Sequence, residues 1–279
     1  MEQQPSFLEQ IRTELNEIAK PYQQQQNLRK RRLDFIAQCI RCTEKDDFLT
    51  LDTLLKSNEV ADVEQESELA DCQPLFEQLR EYASQQVDRY RVDFLDDLKN
   101  AADAVGLPIT IDLPRFTIMK GIEGSVDFSG RLTLINDRPI KTIDPKRIIS
   151  AALKLKRRLY DRPFDPQNFI NSIFRVYTDL LKLDHKPIGQ TVPIQVFYRE
   201  YVMSLQSKVF FQDMDKGKFK GYSLDEFSVD FWRYMESNSG PVSGKYMLEL
   251  RPGRNSYLWM IDPDGQRRQI SGIAFQENQ

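Results

Sequence analysis

PLFEQLREYASQQVDRYRVDFLDDLKNAADAV, residues 74–105, is the stretch around which the chain can be organised. Leu75, Leu79, Ala83, Val87, Tyr90, Phe94, Leu98, Ala101 and Val105 recur every three or four residues, with no Gly or Pro among them. That period predicts one long amphipathic helix. At ~1.5 Å per residue it would run roughly 45 Å, longer than a compact domain usually needs. Its apolar stripe must therefore pack inside the chain or pair with another helix. On that reasoning Leu79, Val87, Tyr90 and Phe94 are the candidate partner-binding residues.

Gly106 and Pro108 stop this helix in the order expected at a C-terminus. Beyond them, Ile109–Leu113, Arg115–Met119, Ser125–Phe128 and Arg131–Ile135 are short β-rich runs punctuated by Pro114, Gly121, Gly124, Gly130 and Asn136-Asp137. An antiparallel sheet of three or four strands is expected.

Asp144 and Pro145 then form a capping signal for a further helix. Ile148, Ala152, Leu155 and Leu159 gather on one side of it, and Arg147, Lys154, Arg157 and Arg158 lie on its polar arc. From Lys141 to Arg162 there are eight basic and two acidic residues, the densest positive patch in the chain. Arg147, Lys154, Arg157 and Arg158 are accordingly the candidate nucleic-acid contacts, with DNA or RNA as the partner.

Asp165-Pro166 opens another helix, apolar over a wide arc through Phe169, Ile170, Ile173, Phe174, Tyr177, Leu180 and Leu181. Helices through Val196–Leu205 and Leu224–Met235 follow, and Gly240-Pro241 ends the helical part. Tyr246–Leu250 and Ser256–Ile261 flank Pro252-Gly253, which reads as a hairpin turn; Asp262-Pro263-Asp264-Gly265 then turns into Arg267–Phe275, predicting a three-stranded meander.

On the N-terminal side, Phe7, Leu8, Ile11, Leu15 and Ile18 mark a helix expected to break at Pro21, and Leu33, Ile36, Ala37 and Ile40 mark a second one after the Gln23–Gln26 run. Arg29–Arg32 make a basic cluster on the second helix. Glu59–Asp71 carries six acids and no Lys or Arg, and reads as a linker. The expected domains are thus a helical region 1–72, an α+β core 73–187 and a C-terminal helical and β module 188–279. The fold class is α+β, mainly helical.

Composition narrows the function. The 279 residues are 40% hydrophobic and 29% charged with a net charge of −3, which excludes collagenous and fully disordered classes and supplies no global field for a polyanion. There is one histidine, His185, where general-base and zinc designs ordinarily use several. It follows a helical pattern that stops before Pro187 and reads as a helix end. Cys39, Cys42 and Cys72 are an odd set, and no N-terminal run has the form of a signal peptide, so a reducing cytoplasm is expected. No apolar run reaches the length of a membrane span, and no membrane association is expected.

Cys39-Ile40-Arg41-Cys42 has the C-x-x-C spacing of half a zinc site, but on a helix the two thiols simply share a face. Asp213–Lys218 is close to a calcium loop but puts Lys218 where glycine is required, and Gly240–Tyr246 is one residue short of a phosphate loop. No metal, cofactor or catalytic residue is expected. Asp184-His185-Lys186, with Asp165 or Asp179 upstream, fits the pattern of a magnesium-dependent nuclease or phosphoryl-transfer enzyme and stands as the alternative.

The C-terminal helices followed by an Arg-bearing turn resemble a winged helix in outline. That resemblance implies that Leu224–Met235 holds the recognition position and that Arg251 and Arg254 lie on the wing against a phosphate backbone. The helix carries Asp225, Glu226, Asp230 and Glu236 against Arg233 alone, so protein contact suits it better than DNA. Accessory subunits of SMC-like ATPases share a comparable plan of helical start and winged end, without a residue motif here that carries the identity over. The expectation is a non-catalytic subunit or adaptor of a cytoplasmic multiprotein assembly, DNA-associated through the 141–162 face, with a stand-alone nucleic-acid-binding protein as a further alternative.

Overall fold

A computed structural model describes residues 7–237 and 239–277. The protein is α+β and mainly helical, and it divides into two compact units. One comprises the chain up to Asp97 with Phe128–Gly130; the other comprises Leu98–Asp127 and the chain from Arg131 onward. The division falls inside a helix and not at the acidic segment near residue 72.

The first unit is built from α1 (Phe7–Glu44), α2 (Phe48–Leu55), α3 (Glu59–Glu64) and most of α4 (Cys72–Asp103). Its core gathers Phe35, Cys39, Cys42, Leu51, Leu55, Val60, Val63, Phe76 and Ala83, with Phe35 and Phe76 edge to face at 5.7 Å. The acidic segment is folded, not a linker. Glu64 pairs with Arg80 at 2.6 Å, Glu66 with Arg32, and Glu68 with Arg29 at 3.7 Å, so its charge is matched by α1 and α4.

Two expectations for α1 change. The helix runs unbroken through Pro21 and the glutamine run. Glutamine is a good helix former. The carbonyl of Glu17, which loses its amide partner to Pro21, lies on an exposed stretch where water replaces it.

The second unit opens with a five-stranded antiparallel meander, β1 (Thr110–Asp112), β2 (Arg115–Met119), β3 (Ile122–Asp127), β4 (Leu132–Ile135) and β5 (Arg138–Ile140), in sequential order. Alternate residues Phe116, Ile118, Ile122, Val126 and Ile135 face inward. Gly124 lies opposite Phe116, where a Cβ would fall 2.2 Å from the ring, so only glycine fits. The fifth strand was not foreseen. It is an edge strand, where Pro139 is tolerated, and it follows a two-residue turn with Asn136 and Asp137 both at positive φ.

Helices α5 (Pro145–Leu159) and α6 (Pro166–Leu183) begin as read. Asp144 accepts the Lys146 N–H and Asp165 that of Asn168. After β6 (Val192–Pro193) come α7 (Ile194–Ser204), α8 (Lys208–Asp213) and α9 (Leu224–Glu236), the last closed by a Ser223/Glu226 capping box. Tyr177, Phe197, Phe227, Phe231, Ile273 and Phe275 are among the buried residues of one core spanning helices and C-terminal strands.

The expected three-stranded meander is corrected. β7 (Tyr246–Pro252) and β8 (Leu258–Ile261) do not pair with each other; both pair with β9 (Arg267–Glu277). Ile270 faces both Pro252 and Leu258, so β7 and β8 lie on opposite edges of β9, and β6 pairs with β9 at Ile273 and Gly272. The reason is burial: Ile270, Gly272, Ile273, Ala274 and Phe275 are all buried, which makes β9 the central strand. Among the described residues no helix is long and apolar enough to cross a membrane.

Candidate functional site

The basic helix is the first feature that faces solvent with a chemistry of its own. Ile148, Ile149, Ala152 and Leu159 of α5 are buried. Successive residues turn by about 100°, which places Lys146, Arg147, Ser150, Lys154, Arg157 and Arg158 within one arc of about 120°, and all six are exposed. No acidic residue of the helix shares that arc. Arg147 reaches Asp144 at 3.8 Å and Arg158 reaches Asp225 at 3.4 Å. Lys146, Lys154 and Arg157 make no ion pair among the described residues.

Next to Arg158 the surface opens into a cleft of about 440 Å³, lined by Gly121, Glu123, Asn136–Arg138, the start of α9 and the β8 strand. Asn136 holds its wall together. Its amide donates to the Gly121 carbonyl at 2.7 Å and to Asp225 at 3.1 Å, and its oxygen accepts the Glu123 N–H. Asp225 also pairs with Arg138 at 3.4 Å, so the same carboxylate joins the α5 stripe to the cleft. Opposite lie Tyr257 and Trp259, edge to face at 5.7 Å, with Trp259 45% exposed. Arg267 sits over the Trp259 ring at 5.6 Å and pairs with Asp137 at 3.0 Å.

On the other side of α9, Asp230 is 2% exposed, accepts a hydrogen bond from the Tyr222 hydroxyl at 2.6 Å and pairs with Arg162 at 2.6 Å and Arg233 at 3.9 Å. Burial pushes the carboxyl above the usual carboxylate range, although the Tyr222 and Arg162 contacts oppose it. Burial likewise raises the Tyr222 hydroxyl. The group ties the segment after α5 to α9.

Each residue named from the sequence now has a place. Val87 and Phe94 are buried, Leu79 packs on the first unit's core, and Tyr90 meets Phe48 at a tilt at 5.8 Å and Phe128 edge to face at 6.0 Å. The middle of the α4 stripe is thus covered by the chain's own side chains, while Leu75 and Val105 at its ends are exposed. Arg251 pairs with Glu249 of its own strand at 2.8 Å, and Arg254 is exposed between β7 and β8.

In α9, Phe227 through Phe231 are all buried, and only the end residues Leu224 and Glu236 are exposed. Asp165 caps the start of α6 and Asp184 its end, with the 18-residue helix between them and roughly 28 Å separating them, while Asp184 pairs with Lys186 at 2.9 Å. Asp179 pairs with Lys182 at 3.4 Å. Among the described residues no three His, Cys, Asp or Glu side chains are grouped to hold a metal ion. Cys39 and Cys42 are buried, and burial pushes the Cys39 thiol up to about 11, with Cys42 adding to the shift.

One feature was missed. The α1 residues from Phe7 to Arg31 are exposed on every side. Leu8, Ile11, Leu15, Ile18 and Tyr22 follow at steps of three and four, an a/d seam standing in water with Leu15 60% exposed. The heptad step was the available signal; treating Pro21 as a break hid Tyr22.

Compared with family models, with curated proteins and with solved structures, the chain gives no significant match to any.

Proposed function

We propose that this protein is a non-catalytic subunit, an adaptor, of a cytoplasmic multiprotein assembly that associates with nucleic acid. The observation that carries this reading is the open seam of α1. Covering a large apolar side chain is worth ~1.5–3 kcal/mol, and five such residues stand exposed in register. The seam covers just over two heptads, fewer than the roughly three to four that sustain a coiled coil by itself. It therefore suits an apolar groove on a partner subunit, with Leu8, Ile11, Leu15 and Ile18 as anchors at helical spacing.

The cationic arc of α5 supports the nucleic-acid part of the reading, because Lys146, Lys154 and Arg157 are exposed cations of the kind that exchange counterions for phosphates. The C-terminal order, a short strand between helices pairing with the last strand, supports a winged-helix-like module. Its α9 is buried from Phe227 to Phe231, which speaks against groove reading by that helix. The thiol form of the cysteines suits a reducing compartment.

Isolation from the native host provides the test. The full chain should retain a defined partner at fixed stoichiometry, and I11D/L15D should release it with the helical content unchanged. A partner retained by that variant, or a seam that is satisfied by self-association alone in sedimentation, overturns the adaptor reading.

A further inference from the structure

We infer that the cleft beside α5 takes an unpaired nucleobase, so that the nucleic acid this surface binds is single-stranded. The inference rests on the phosphate role proposed for α5 and adds to it a second recognition element. Arg158 and Arg138 both meet Asp225, at 3.4 Å each, so that carboxylate links the end of the cationic arc to the cleft mouth. There Trp259 is 45% exposed, with Tyr257 at 5.7 Å, and such aromatic faces stack bases of any sequence. Arg267, held over Trp259 and tied to Asp137, supplies a planar cation to the same stack. The cleft, about 440 Å³, also carries Glu123 and Asp137, whose carboxylates accept from amino groups on base edges.

A base inside a duplex cannot reach this pocket, since its faces are covered by neighbours in the stack. The helix in the recognition position, α9, is buried through its middle and offers no face for reading a duplex groove. Cations that follow a backbone and aromatics that receive bases are the two parts by which single strands are bound without sequence preference.

Three probes separate the parts: a mixed-sequence 20-nucleotide DNA strand, the same strand annealed to its complement, and a 20-unit abasic strand. The full chain should bind the single strand most tightly, and binding should quench tryptophan fluorescence. W259A, checked for fold by circular dichroism, should lose about ten-fold in affinity for the single strand and leave the abasic strand unchanged. K154E/R157E should weaken all three probes and flatten the salt dependence. Equal affinity for single strand and duplex, or a W259A variant with undiminished single-strand affinity, overturns the inference while leaving the phosphate role intact. Absence of binding to every probe at low salt overturns both.

Discussion

Helices α1 and α4 both carry apolar stripes, and the structure treats them in opposite ways. The α4 stripe is met by Phe48, Phe128 and the first unit's core, so Val87 and Phe94 are sealed. The first 25 residues described in α1 are all exposed, and the stripe from Leu8 to Tyr22 faces water. The sequence leaves the α4 stripe either to pack inside the chain or to meet a partner, because its pattern is long and free of internal proline. The difference teaches that periodicity reports an apolar face, while the number of neighbours the chain itself supplies decides whether that face remains available.

The sharpest way to break this contrast is to remove one side chain from each helix. F94A should lose about 3–5 kcal/mol of stability in chemical denaturation, as buried aromatics do. L15D should stay within about 0.5 kcal/mol, as surface changes do. Equal losses would mean that the α1 seam is packed after all.

A smaller effect is expected from P21A. A proline inside a helix costs about 3 kcal/mol, much of it local, so the variant should raise helicity and slow amide exchange around residues 17–25 without moving the global transition. No change in exchange there would contradict an exposed continuous helix.

Thiol chemistry locates where α1 passes from open to packed. With its thiol held at about 11, Cys39 is about 0.1% thiolate at pH 8, and a disulfide reagent should modify it only as denaturant opens the first unit. The shift is upward, so the stability it brings is present below the ordinary thiol value and lost as pH rises through about 11. Native-state reaction at Cys39 as fast as that of a free thiol would place it outside the core.

The smallest expected effect is at the surface pair. R29A removes a 3.7 Å contact with Glu68 between two largely exposed side chains and should change stability by less than about 0.5 kcal/mol.

Much of the local structure is legible without coordinates. Asp144-Pro145 and Asp165-Pro166 start helices where they are read, Gly106 ends α4, and Asp262–Gly265 turns as expected, because each depends on neighbours within a few residues. The acidic segment at Glu59–Asp71 is misread because its partners, Arg29, Arg32 and Arg80, lie outside any local window. The pairing of β7 with β9, and not with β8, has the same cause: a turn at Pro252-Gly253 permits a hairpin but does not choose the strand's neighbour. The largely apolar run Ile270–Phe275, broken only by Ser271, is the sign that β9 is central.

For the candidate site the division is similar. The sequence identifies the cations of α5, since an i, i+3, i+4 pattern fixes their common face. It does not join them to Tyr257 and Trp259, which are about 100 residues distant and reach the same cleft only through the sheet and α9.

By itself the sequence determined the long helices after residue 72, the Asp144 and Asp165 caps, most of the short strands and the cationic face of α5, because backbone preference and side-chain period act over one or two turns. Only the tertiary structure decided which apolar stripe is sealed, which strand is central and which charges meet. Those outcomes depend on contacts between segments far apart in the chain, where burial is shared and no local rule assigns the partner.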